Sequence, residues 1–159
     1  MKYIMDLMAV FLLGFFSCAA VALGVYASDI EFPFGVGNNE STPVDRVSLE
    51  NVTIVGGDKL LIDFGRNISL SSYASTGSMS PVFDEKSNGI RIVPTSADEI
   101  DLGDIITFED GSKLIVHRVI EKGYDDKGLY FITKGDHNDF SDGKVRYEDV
   151  KFITVGVLY

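Results

Sequence analysis

The sequence predicts a mostly β domain behind a single N-terminal transmembrane helix. Three observations carry that expectation. An uncharged run from Leu7 to Ala27, "LMAVFLLGFFSCAAVALGVYA", is roughly 31 Å long as a helix, about the thickness of a hydrocarbon core. Beyond it, short runs rich in β-branched residues are separated by turn signals. After residue 27 no long stretch has helical period, and no internal repeat is present.

Taken in order, residues 1–28 form the expected anchor. Lys2 and the α-amino group precede the apolar run, and Asp29 and Glu31 follow it. The positive-inside rule then sets the N-terminus in the cytoplasm and the rest of the chain outside, although Asp6 offsets the lysine. A cleaved secretory signal ending at Val25-Tyr26-Ala27 is the competing reading, and the run is longer than a usual signal core. A lipoprotein signal at Cys18 fails because the apolar run continues past the cysteine. Either surviving reading leaves the main domain outside the cytoplasm, where the sequons at Asn39, Asn51 and Asn67 are tolerated.

Residues 29–48, rich in Pro, Gly, Asn and Asp, read as a linker, and 49–159 as the β domain. "NVTIVGGDKLLIDF" predicts a hairpin about Gly56-Gly57-Asp58. Further strands are expected over 72–76, 90–93, 104–108, 113–121, 129–134 and 150–158.

Composition removes several function classes. The formal net charge of −10 argues against nucleic-acid binding, which needs a basic face. The one cysteine, Cys18, forbids an intrachain disulfide, and no Cys/His cluster has zinc-ligand spacing. No cofactor is expected, and composition alone calls for no metal.

Three stretches carry chemistry. In "STGSMSPVF", Ser78 follows a glycine, which permits close backbone approach, and precedes Pro81, which ends strand pairing. A turn serine is the ordinary explanation of such a residue. In "KLIVHRVIE", strand alternation puts His117 on one face with Ile115, Val119 and Glu121, and Leu114, Val116, Arg118 and Ile120 on the other. His117 is then either a hydrogen-bonded core histidine or a general base in an apolar site. The third stretch, "FITKGDHNDFSDGKV", holds Asp136, Asp139 and Asp142. It fails the EF-hand pattern, since Phe140 takes the fifth position and no glutamate stands at the twelfth. A metal site built from His117, His137 and these acids stays open, beside a plain solvated loop.

The order of four blocks narrows this. "GSMSP" at 77–81, "GDIITF" at 103–108, "IVHRVI" at 115–120 and "TKGDHNDFSD" at 133–142 resemble the signal peptidase I family, specifically its archaeal and endoplasmic-reticulum branch. The resemblance covers residues 76–142 and extends to the closing "VGVLY". It implies a signal-peptidase-like β domain and a membrane-anchored serine endopeptidase that removes signal peptides from preproteins. Ser78 matches the nucleophile, and His117 matches the general base, where the bacterial branch has lysine. Asp142 matches the orienting acid, with Asp136 in support. Thr76 and the Ser78 backbone N–H are the implied oxyanion donors, and Met79 the implied substrate contact. The chain departs from the pattern in two inserts, 36–70 and 84–101, and in His137, where asparagine is common. Self-cleaving domains of SOS-type repressors share a serine on a β domain but use lysine and carry a DNA-binding region. The alternative from another class is a non-catalytic, membrane-anchored β-domain that binds secreted partners; the joint presence of Ser78, His117 and Asp142 counts against it.

Overall fold

A computed structural model describes residues 42–159 together with Tyr3, Met8 and Phe11. The chain divides into two units, Met1–Glu40 and Ser41–Tyr159. Apart from those three residues, the expected anchor over 1–28 lies outside the described residues, as does the sequon at Asn39. Among the described residues no helix is long and apolar enough to cross a membrane.

The second unit is mostly β, with every strand pair antiparallel. The strands are β1 (Val52–Val55), β2 (Lys59–Ile62), β3 (Ile68–Ser72), β4 (Asn88–Ile92), β5 (Ile105–Asp110), β6 (Lys113–Asp125), β7 (Gly128–Lys134), β8 (Lys144–Val145) and β9 (Val150–Leu158). β1 and β2 form a hairpin of their own about residues 56–58, with Val52 opposite Ile62 and Ile54 opposite Leu60. The other seven make one sheet in the order β3-β4-β9-β5-β6-β7-β8. The last long strand thus inserts between β4 and β5.

Period-two alternation builds the core. Ile106, Phe108, Val119, Phe131, Val150 and Ile153 point to one side and pack with Ile92, Ile100 and Val145. A second cluster of Met79, Phe83 and Ile105, with Val116 and Tyr73 against it, covers the opposite face of β5 and β6. His117 is paired with Ile106, so it takes the first face, with Ile115 and Val119. That much of the expected alternation holds. It breaks after Val119, where a bulge sets Val119 opposite Thr133 but Glu121 opposite Ile132. One extra residue there turns Ile120 and Glu121 both to solvent.

One expected strand is displaced, and one short strand was not expected. The strand read at 72–76 is displaced to Ile68–Ser72. Its alternation is inverted, with Ile68 and Leu70 exposed and Ser69 and Ser71 half-buried, so hydrophobic pattern was a poor guide to it. The residues after Ser72 leave the sheet, Tyr73 to stack on Phe83 with ring centroids 4.0 Å apart. β8 is only two residues long, too short to show a period.

Candidate active site

β6 carries the histidine. His117 is 7% exposed, and its Nδ1 lies 2.6 Å from Asp142 Oδ2. An ionised carboxylate can only accept, so Nδ1 is the donor, and in a neutral imidazole Nε2 then keeps its lone pair. Asp142 comes from the loop between β7 and β8. Its backbone N–H donates to the Thr133 carbonyl at 2.7 Å, and the Thr133 hydroxyl donates to its Oδ2 at 2.6 Å.

Ser78 arrives from the segment between β3 and β4. Gly77 turns the chain with φ 69°, a conformation side-chain-bearing residues avoid. Met79, 3% exposed, then buries itself against Phe83 and Ile105 and pins the turn from below. The Ser80 N–H bonds to the Gly77 carbonyl at 3.1 Å, and the Phe83 N–H to the Met79 carbonyl at 3.1 Å. The loop after β7 holds the serine from the other side: the His137 N–H donates to the Ser78 carbonyl at 2.9 Å. Gly135 makes that approach possible, because a Cβ there would sit 2.6 Å from the Ser78 carbonyl oxygen.

The Ser78 hydroxyl is 3.2 Å from the Thr76 hydroxyl, and the Ser78 N–H points to the Thr76 oxygen at 3.4 Å. Ser78 and His117 line one groove of ≈ 350 Å³, with Tyr73, Met79, Phe83, Leu114, Val116 and Asn138 among its walls. No hydrogen bond joins Ser78 to His117 in this state; the serine is paired with Thr76 instead. Burial pushes the Tyr73 phenol up from its usual range, so this wall of the groove stays neutral at physiological pH.

The remaining expected site residues fall in different places. Asp136 does not face His117. Both its oxygens are taken by Arg118, at 2.8 Å from Nε and 2.7 Å from Nη2, while Arg118 Nη1 reaches the Gly103 carbonyl at 2.9 Å. Asp139 and the His137 side chain are exposed. Thr133 and Asn138 carry contacts that residue-by-residue reading did not assign. Thr133 stands inside the quoted "TKGDHNDFSD" block, and that position was the available signal.

The groove has one more property. β7 ends at Lys134, opposite Arg118. From Lys113 to His117, β6 is therefore hydrogen-bonded to β5 on one side and, among the described residues, has no strand on the other. Chemically, the site offers a hydroxyl, an imidazole with its acid, and an apolar trench beside an open strand edge. No family model, curated protein or solved structure matches the chain.

Proposed function

We propose that this chain is a membrane-anchored serine endopeptidase of the signal peptidase I kind, removing signal peptides from translocated preproteins. The observation that carries the reading is that His117, whose Nδ1 lies 2.6 Å from Asp142 Oδ2, lines the same groove as Ser78. The four sequence blocks, in the order found in that family, support it independently.

In this reading an extended substrate adds as a strand along the free edge of β6, its side chains entering the apolar trench. Ser78 Oγ turns from Thr76 toward His117 and attacks the scissile carbonyl carbon as Nε2 takes its proton. The oxyanion accepts hydrogen bonds from the Ser78 N–H and the Thr76 hydroxyl. The C–N bond then breaks, the imidazolium protonates the leaving amine, and water, deprotonated by His117, releases the acyl group from Ser78. Asp142 holds the imidazole in the Nδ1–H tautomer and stabilises it when charged. The apolar run at 7–27, with a cytoplasmic N-terminus, keeps the groove near the outer face of the bilayer. Tethering there raises the effective concentration of emerging substrates without an added contact.

The test is cleavage of a preprotein by the full chain in detergent–lipid mixtures. Ser78→Ala and His117→Ala are each expected to lower kcat by about 10³-fold or more, and Asp142→Asn by about 10²–10⁴-fold. Asp139→Asn, at an exposed position, is expected to stay near wild type. A Ser78→Ala chain that cleaves at the wild-type rate would overturn Ser78 as the nucleophile, and a wild-type chain that cleaves no preprotein would leave the non-catalytic binding domain as the better reading.

A further inference from the structure

β7 exposes an inconsistency in its own pattern. Alternation assigns Leu129, Phe131 and Thr133 to one row, and Phe131 and Thr133 are both 0% exposed. A valine at 133 would fill nearly the same space without a hydroxyl to satisfy, so the buried oxygen needs a reason. Its partner is Asp142 Oδ2 at 2.6 Å. The same residue's carbonyl accepts the Asp142 N–H at 2.7 Å, so one buried threonine holds the aspartate by backbone and side chain together.

We infer that Thr133 is a positioning residue: its hydroxyl fixes the direction in which the Asp142 carboxylate presents Oδ2 to His117 Nδ1. The aspartate sits on a loop, and its side chain keeps 24% exposure. Rotation about χ2 would trade His117 for water, and among the described residues His117 and Thr133 are the side-chain partners of this carboxylate. Two donors converging on one oxygen remove that freedom. The activity part of this inference rests on the reading of Ser78, His117 and Asp142 as catalytic; the geometric part does not.

The experiment uses the full chain in detergent, labelled with ¹⁵N-histidine, as wild type, Thr133→Ala and Thr133→Ser. In the wild type, a downfield Nδ1–H resonance that disappears in Asp142→Asn identifies the His117–Asp142 bond. In Thr133→Ala its exchange with water is expected to accelerate about tenfold, and kcat to fall about tenfold with KM unchanged. Thr133→Ser, which also loses the methyl group but keeps the hydroxyl, is expected to restore both. Thr133→Val, which conserves volume, replaces the alanine variant if that one does not fold. A Thr133→Ala or Thr133→Val protein with wild-type exchange overturns the inference, as does a serine variant no better than alanine. If the wild type cleaves nothing, the proposed function fails, and the resonance alone still decides the role of Thr133.

Discussion

Asp136 and Asp142 lie in one loop, yet the fold gives them different partners. Asp142 receives His117, while Asp136 closes a two-pronged ion pair on Arg118, with side-chain exposures of 7% and 10%. Removing one partner of a buried pair strands the other charge. Asp136→Ala is therefore expected to destabilise the domain by about 3–5 kcal/mol, read from urea or thermal unfolding. Adding Arg118→Met is expected to recover part of that loss, and a strictly additive double variant would show that the pair is not coupled. The division of labour between the two acids also marks how far a sequence carries. Ser78, His117 and Asp142 could be picked out because their blocks keep a fixed order. That Arg118 takes Asp136 depends on the strand register beside Gly103, and no local pattern encodes it. Beyond its place in the quoted block, the role of Thr133 was hidden for a related reason, since a buried threonine on a strand looks like any β-branched residue until its hydroxyl finds an acceptor.

At the scale of elements, the long hairpins were legible and the short pieces were not. β5, β6, β7 and β9 lie where their β-branched runs put them, and the hairpin turn at 56–58 was signalled by its glycines. β3 was misplaced because its apolar residues face out, and β8 was missed because two residues carry no period. The segment before β1, read as the end of a linker, carries Arg46. Its guanidinium pairs with Asp104, which is 1% exposed, and donates to the Glu99 carbonyl at 2.5 Å. The β1–β2 hairpin behaves differently. Among the described residues its two strands pair only with each other, and Ile54 and Leu60 are 71% and 63% exposed. An isolated two-stranded hairpin adds little to a fold. Replacing Ile54 and Leu60 together by threonine is expected to change unfolding free energy by less than about 0.5 kcal/mol. A loss above about 2 kcal/mol would mean that these side chains are covered in solution.

For the whole molecule the question is how a chain with net charge −10 tolerates its own acidity. Much of the answer is that carboxylates are matched to cations that tie distant segments together. Asp125, at the end of β6, meets Lys144 at 2.7 Å and Arg146 at 2.7–2.8 Å, joining the tip of the β6–β7 hairpin to the chain around β8. Those two cations, Lys144 first, hold its carboxyl well below the usual range. At Glu99, burial pushes upward, but the Thr95 N–H and hydroxyl and the Arg66 guanidinium outweigh it and leave the group lowered. A carboxyl whose folded value is depressed binds its proton more readily in the unfolded chain. Its contribution is whole above the ordinary carboxylate value near 4 and is lost as pH falls through the folded value. The domain is accordingly expected to lose stability between about pH 5 and pH 2 and to hold it from there to neutrality. Asp125→Asn isolates one share of this. It removes the charge that Lys144 and Arg146 answer, so the variant should be less stable than wild type at pH 7. The two unfolding midpoints should converge as the buffer is acidified. Because these pairs are at the surface, the gap at pH 7 should also narrow in 1 M salt. Midpoints that stay equally far apart from pH 7 to pH 2 would show that Asp125 acts through packing, and that the charge of this chain is not what its cations are placed to manage.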